Sequence, residues 1–473
     1  MYLEGRLFVS PTQIIHYYYF MERTLISDLH AHIGETITLK GIVDVRRDQG
    51  KMAFFDFRDR SGVVQGVVFG KPEILEIAKT ASPESSVMIE GIVNKRPEKM
   101  MNDKVQNGDI ELEITALTIL NLAEPLPFDL DSDYAIETRL DNRPVTLKSK
   151  RDRAVFKIQS EITRGYAEFL RSQGFTEFQA PKLVGGDAEG GAAVFKVPYF
   201  HKTTAYLASS PQFYKQILVG SLERVFTLAT AFRAEKSATT RHLSEYTSLD
   251  AEVGFITDHH DLMRILTGLM RHLKAHLGAT VATELATLDI ELPKIPETGD
   301  TMPFMKLREA QQLIKERTGV DKTNEPDLEP EDERWLCEYA STELGSDYIF
   351  ITHYPVSKRP FYTYEDENDL GFTKSFDLLF RGVEITTGGQ RVHNLANLIE
   401  RIKMKGLDPD KFEFYLQAFK YGIPPHGGWG MGLERLTQKF CGLANVKEAT
   451  LFPRDINRID TFTSKVQSEE ADI

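Results

Sequence analysis

Two apolar runs, residues 224–232 and 246–255, flank a polar loop and constrain the fold more than any other part of this sequence. Each run is too short for a helix of ordinary length, and the pair reads as strand, loop, strand. Side chains alternate along a strand. Arg233 and Glu235, just past the first run, therefore share a face, as do Tyr246, Ser248, Asp250 and Glu252 on the second, while Leu249, Ala251 and Val253 form an apolar back. The expected hairpin buries one side and presents a cation, several acids and an aromatic plate on the other. Such a surface suits a nucleotide and a small zwitterion.

At 473 residues the chain is too long for one ordinary domain and fits two or three. Hydrophobic residues at 41% and charged residues at 27% are those of a soluble globular protein, and no apolar stretch approaches the roughly 20 residues that cross a bilayer. No membrane partner is expected. Residues 1–22 carry Tyr17-Tyr18-Tyr19-Phe20 but no signal-peptide core, and read as an extension before Met21. Cys337 and Cys441 stand far apart, outside any ligand spacing, so neither a disulfide nor a zinc site is expected and the cytoplasm is the expected compartment. The net charge of -13 argues against nucleic acid as a partner of the whole surface. Arg46-Arg47 and the group Lys95, Arg96 and Lys99 could still form a local basic patch.

Between residues 37 and 120 five β-rich runs (37–45, 53–57, 63–69, 87–93, 111–119) enclose one helical stretch at 72–80, the pattern of an OB-fold barrel. Alternation puts Phe55 and Phe57 in the core and turns Phe54 outward beside Arg46 and Arg47, a candidate platform for stacking bases. The expected domains are a barrel at 23–122, a proline-bearing hinge at 123–148 and a mixed α+β domain at 149–473. The last begins with an amphipathic helix at 151–173 that carries Val155, Ile158, Ile162, Tyr166 and Leu170 and stops at Gly174.

Two further constellations carry chemistry. Gly427-Gly428-Trp429-Gly430-Met431-Gly432 runs into a helix whose first turn holds Arg435, which suits close backbone approach to a ligand and attraction of phosphate. Residues 376–387 read as a hairpin turning at Arg381-Gly382, pairing Phe380 with Val383 and Leu379 with Glu384. Asp377 and Glu384 then face the same way, and two carboxylates there suit Mg²⁺.

The run Phe232-Arg233-Ala234-Glu235, a loop, then Arg241-His242-Leu243-Ser244-Glu245-Tyr246 resembles motif two of the class II aminoacyl-tRNA synthetases. The glycine-spaced strand with Arg435 resembles their motif three (about 427–440). The helix with Phe175 to Pro181 resembles motif one (about 154–182), their dimerisation element; motif two spans about 224–254. Within the class, Ser210-Pro211-Gln212-Phe213-Tyr214-Lys215-Gln216, Arg381-Gly382-Val383-Glu384-Ile385, Gly388-Gly389-Gln390-Arg391 and Leu451-Phe452-Pro453-Arg454-Asp455 are similar to the aspartyl-tRNA synthetases of subclass b, archaeal type.

That resemblance implies an α+β chain, with an N-terminal OB-fold and a catalytic domain on an antiparallel sheet flanked by helices. It implies ATP and Mg²⁺, and a homodimer that joins L-aspartate to tRNA(Asp). It assigns ATP to Arg233, Glu235, Arg241, His242, Leu243, Tyr246, Glu384, Gly432 and Arg435, with Arg233 and Arg435 as the catalytic pair. It assigns aspartate to Glu189, Gln212, Lys215, Asp250, Tyr362, Thr387 and Arg391, with Lys215 and Arg391 holding the side-chain carboxylate. It assigns the metal to Asp377, Glu384 and Thr387, where relatives commonly carry serine at the last position, and the anticodon to Arg46, Phe54 and Gln65. At the positions that discriminate the last anticodon base stand Asp44 and Pro97-Glu98, which match neither family pattern. If tRNA(Asn) is charged as well, a tRNA-dependent amidotransferase is an implied partner. The rival reading is an asparagine–tRNA ligase.

Overall fold

The computed structural model describes residues 23–102, 105–186, 193–236 and 239–460, so the expected extension at 1–22 and Glu189 lie outside the described residues. The chain divides into two compact units between Asp129 and Leu130. No helix among the described residues is long and apolar enough to cross a membrane, and both cysteines are buried and unbridged.

The first unit is a closed barrel. Its strands are β1 (Thr36–Gln49), β2 (Met52–Arg58), β3 (Val63–Phe69), β4 (Ser86–Lys95) and β5 (Ile110–Asn121), with helix α1 (Pro72–Thr80) between β3 and β4, in the order β1-β2-β3-β5-β4. Alternating apolar residues explain the closure: Leu39, Val43, Phe55, Phe57, Val64, Ile89 and Leu112 all point into one core. β1 serves both β2 and β4, and a bulge between Val43 and Val45 turns it from one partner to the other. Gly66 is needed where it stands, because a Cβ there would lie 2.8 Å from Phe57 Cε2.

The second unit begins earlier than the sequence suggests. Residues expected to belong to a hinge form short helices at Ile136–Asp141 and Arg143–Thr146. Arg139 and Arg143 are buried there and both donate to Asp152, at 2.9 and 2.8 Å, while Arg143 also reaches the Leu451 and Thr450 carbonyls. These anchors tie the second half of the expected hinge to the second unit.

Helix α2 (Lys150–Ser172) starts where the Ser149 hydroxyl accepts from the Asp152 N–H and ends before Gly174, whose φ is +79°. Its apolar stripe and that of α4 (His259–Thr280) cover the back of an eight-stranded sheet. The sheet comprises β6 (Thr176–Glu177), β7 (Arg224–Phe232), β8 (Glu245–Gly254), β9 (Phe304–Lys306), β10 (Tyr348–Thr352), β11 (Ser375–Phe380), β12 (Val383–Gln390) and β13 (His426–Gly432). Its order is β9-β10-β11-β12-β13-β8-β7-β6, antiparallel except at the two edge pairs. Helix α3 (Gln212–Leu222) packs near β7 and β8, and α5 (Leu433–Phe440) continues from β13. Leu249, Ala251, Val253, Phe376 and Trp429 fill the back, which leaves the opposite face for polar groups.

Candidate active site

The front of the sheet carries a cleft of about 440 Å³. At one end the β7–β8 hairpin behaves as its alternation predicts. Ala231 pairs with Tyr246, Ala229 with Ser248 and Thr227 with Asp250, so Tyr246, Ser248 and Asp250 all line the cleft. The Arg233 N–H donates to Ser244 O at 2.9 Å, and its guanidinium stands 5.6 Å from the Tyr246 ring centre and 3.7 Å from Glu235. His242 Nε2 is 3.6 Å from Glu235. Arg241 is held by Glu333 at 2.8 Å and by Gly382 O at 3.2 Å, two anchors far off in sequence that motif spacing does not reveal. Leu243, Gly432 and Arg435 complete this end, where Arg233, Arg241 and Arg435 supply three guanidinium groups.

The floor is a quartet of buried charges. Lys215 Nζ donates to Asp250 Oδ2 at 2.6 Å and Trp429 O at 2.8 Å, and lies 3.5 Å from Glu252 Oε2. Arg391 Nε donates to Glu252 Oε1 at 2.9 Å and Nη2 to Gly428 O at 3.0 Å, with Tyr362 5.4 Å away under the guanidinium. Burial alone would raise Glu252, but the charges of Arg391 and Lys215 outweigh it and hold the carboxyl below its ordinary range. Arg391, Tyr362, Asp250 and Gln212 line the cleft, whereas Lys215 does not. Its Nζ is sealed under the floor, surrounded by Asp250, Glu252 and the Trp429 carbonyl.

Glycines make this floor possible. Gly430 pairs with Asp250 and Gly428 with Glu252, and a Cβ at 428 would lie 2.1 Å from Ala251 O and 2.3 Å from Glu252 Oε2. Behind Gln212 runs a chain that the sequence did not disclose. Gln212 Nε2 and Tyr415 Oη donate to Gln216 Oε1, and Gln216 Nε2 donates to His426 Nε2. His426 Nδ1 donates to Pro424 O, which fixes the tautomer, and burial lowers this imidazole to about 4.

The β11–β12 hairpin turns at Arg381-Gly382 with the expected Leu379–Glu384 pair, but Asp377 pairs with Thr387 because a bulge intervenes. Strict alternation would put Glu384 and Thr387 on opposite faces. The extra residue brings both into the cleft, where Thr387 Oγ1 donates to Glu384 Oε1 at 2.6 Å. Arg435 stands 3.7 Å from Glu384, and although burial raises this carboxyl, Arg435 and Thr387 hold it below the usual range. Glu384 and Thr387 are hard oxygen donors facing open space, a set that fits Mg²⁺. Asp377 differs from expectation. Its Oδ1 is 2.8 Å from Arg359 Nη2, it does not line the cleft, and burial with Glu384 nearby pushes its pKa up. Arg359, which stacks 4.0 Å from the Tyr354 ring centre, is thus a site residue that motif reading passed over.

In the barrel, pairing puts Arg47, not Arg46, beside Phe54, and the same outer face carries the pair Asp56–Gln65. Arg47 donates to Asp56 at 2.9 Å, and Arg96 donates to Gln65 Oε1. Arg46 points to the end of α1 instead, donating to Lys79 O at 2.5 Å and Ala81 O at 3.1 Å. The reason is register: Arg46 pairs with Phe55, on the core side of β2, and escapes at the barrel's rim. Phe54 is half-buried, and Asp44 is held by Arg58 at 3.0 Å.

Comparison with known proteins agrees with this geometry. Residues 135–456 match the class II tRNA synthetases (D, K and N), and residues 37–120 match the OB-fold nucleic acid binding domain. The chain belongs to the class II tRNA synthetases of the D, K and N group. It is 44% identical over 440 residues to the aspartate–tRNA(Asp/Asn) ligase of Thermus thermophilus, covering 92% of this chain and 99% of that one. It is 39% identical to the aspartate–tRNA(Asp) ligase of Thermoplasma acidophilum, covering 93% and 100%. Among solved structures, asparaginyl-tRNA synthetase from Pyrococcus horikoshii with asparaginyl-adenylate superposes with a TM-score of 0.84 at 31% identity, covering 93% of this chain and all of that one.

Proposed function

We propose that this protein is an aspartate–tRNA ligase, which activates L-aspartate with ATP and transfers it to tRNA(Asp). The observation that carries this reading is the contiguity of two anion-binding regions in one cleft. Arg391 over Tyr362 marks an amino-acid end with a carboxylate-binding guanidinium. Arg233, Arg241 and Arg435 mark a polyphosphate end. The curated relatives at 38–44% identity are aspartate ligases, which favours aspartate, while solved structures of both asparaginyl and aspartyl enzymes match at 29–31%.

In the first step an oxygen of the aspartate α-carboxylate attacks the α-phosphorus of ATP in line. The new O–P bond makes aspartyl-adenylate, and the bond to pyrophosphate breaks. The carboxylate is already a nucleophile, so no protein base is required, and the protein supplies position and charge neutralisation. Arg233 would hold the α-phosphate, Arg435 and His242 the terminal phosphates, and Glu235 the adenine amino group. Tyr246 would stack on the ring. In the second step the 3′-terminal ribose hydroxyl attacks the activated carbonyl, AMP leaves with the electron pair of the broken C–O bond, and the hydroxyl proton passes to a phosphate oxygen of that AMP. Mg²⁺, held by Glu384 and Thr387, would supply neutralising charge beside the phosphates; the ion pair with Arg359 leaves Asp377 as a support rather than a ligand.

The stretch resembling motif one supports a homodimer, which sedimentation measures directly. Thermus thermophilus and Aeropyrum pernix relatives are named for tRNA(Asp/Asn), so tRNA(Asn) is a candidate second substrate, with an amidotransferase then needed to correct the product. Arg233→Ala should reduce aspartate-dependent ATP–pyrophosphate exchange at least a thousandfold while the melting temperature holds. Retained exchange, or preference for asparagine in the wild type, contradicts the proposal.

A further inference from the structure

Helices α2 and α4 cross behind the sheet at a point where neither can carry bulk. Gly165 of α2 faces α4 so closely that a Cβ there would lie 2.9 Å from Leu273 Cδ2 and 3.1 Å from His276 Cδ2. On α4, His272 and His276 are four residues apart and so share one face. Their rings lie parallel within 16°, with centroids 5.9 Å apart. Glu168 of α2 reaches this pair, and the three side chains bring one ligand atom each to within 4.8 Å of one another.

The surrounding contacts prepare these atoms. His276 Nε2 is 2.7 Å from Glu161 Oε2 and donates to it, which leaves Nδ1 with its lone pair facing Glu168 Oε2 at 4.0 Å. A carboxylate behind a histidine fixes tautomer and ring orientation as it does in metal centres. Arg164 Nε donates to Glu168 Oε1 at 2.8 Å, so the oxygen facing His276 is the one this bond does not use. His272 Nε2 is buried without a hydrogen-bond partner among the described residues, an arrangement that costs free energy until something occupies it.

We propose that Glu168, His272 and His276 form a binding site for a borderline divalent transition metal, Zn²⁺ being the ion of this class, that clips α2 to α4. Two imidazoles and one carboxylate are the donors such ions select. With bonds of about 2.0–2.1 Å, ligand atoms around a tetrahedral ion sit about 3.3 Å apart. The three atoms stand within 4.8 Å of one another, and Glu168, the exposed member, is the side chain free to turn inward to close that spacing. The site lies on the sheet's covered side, so its occupancy is separable from the proposed aminoacylation chemistry.

The test uses the untagged full chain, stripped with chelator and then dialysed against Zn²⁺ or Co²⁺ alone. The expected result is one Zn²⁺ per chain by elemental analysis, visible d–d absorption with Co²⁺, and a melting temperature that rises with metal and falls again with EDTA. His272→Ala and His276→Ala should each lose the metal, and Glu168→Gln should weaken it at least tenfold. His260→Ala should keep it, because the other compact cluster, Asp258, His259 and His260, is the competing location. Should a histidine variant fail to fold, the Co²⁺ spectrum of the wild type and the Glu168→Gln comparison still decide. Absence of Co²⁺ absorption at tens of micromolar overturns the proposal. So does metal that survives in both histidine variants, or that is lost only in His260→Ala.

Discussion

Replacing Lys215 by methionine removes the ammonium at the centre of the buried quartet while keeping most of the side chain's volume. In the wild type this ammonium is 2.6 Å from Asp250 and 3.5 Å from Glu252. At an effective dielectric near 20, the Asp250 contact alone is worth about 6 kcal/mol before desolvation is counted. Deleting one partner of such a pair leaves the other charge buried, at a net cost of about 3–5 kcal/mol. For the unit Leu130–Ile473 that corresponds to a fall in melting temperature of roughly 4–7 °C. Adding Asp250→Asn removes the orphaned charge, and the double variant should recover at least half of the loss, since contacting charges are strongly non-additive. Aspartate-dependent pyrophosphate exchange should stay at least a hundredfold down in both variants. Thermal melts followed by circular dichroism, with exchange rates over a range of aspartate concentrations, measure both effects. A single variant that melts within about 1 °C of wild type, or a double variant no more stable than the single, refutes the charge argument.

Glu434 accepts the Thr247 N–H at 3.0 and 3.1 Å, and burial lifts it from 4.5 to about 7. Its raised folded value means that stability is fully present below pH 4.5 and is lost as pH climbs through 7, by about 3 kcal/mol. Glu434→Gln should therefore match wild type at pH 4.5 in urea unfolding and exceed it at pH 8; parallel curves would contradict this. Gly428→Ala should lose about 1–3 kcal/mol by overpacking, and most exchange activity, by displacing Glu252. Gly430→Ala, whose Cβ would meet nothing nearer than Asp250 at 3.5 Å, should melt like wild type; equal losses in the two would undo the packing account. Phe54→Ala should raise the KM for tRNA about 5- to 100-fold, from the loss of one stacked base, and leave tRNA-free exchange unchanged. An unaltered KM would remove Phe54 from the interface.

The parts legible in the sequence were those that period and local motif determine. The alternation in 224–232 and 246–255 assigned Tyr246, Ser248 and Asp250 to one face, and the structure keeps them there. The five barrel strands followed from the same rule. What escaped depended on register or on distant partners. Arg46 and Arg47 are equivalent to any composition argument, and only pairing with β2 shows that Arg47 shares the outer face with Phe54. Arg359 and Glu333 act on Asp377 and Arg241 across loops that no spacing rule connects. The bulge in β12 is the sharpest case. By period two, Glu384 and Thr387 should oppose each other, and one unpaired residue reverses that parity.

Lys215 illustrates how selectivity for a carboxylate can arise from a floor with no net charge. Lys215 and Arg391 balance Asp250 and Glu252, so the quartet as it stands offers an incoming anion nothing uncompensated. A bound aspartate zwitterion changes the accounting, because its α-ammonium can take Asp250. Asp250 already divides its oxygens, Oδ2 toward Lys215 and Oδ1 toward the Ser248 hydroxyl, so a small shift would exchange one cation for the other. Lys215 would then keep only Trp429 O and a Glu252 shared with Arg391, a shortfall of negative charge that the ligand's side-chain carboxylate can make good. Asparagine would provoke the same exchange and leave a buried ammonium facing a neutral amide, a penalty of several kcal/mol. On this argument the discrimination lies in the coupling between Asp250 and Lys215 rather than in a cation waiting in the open cleft. That is why the cost of Lys215→Met should appear in stability as well as in turnover.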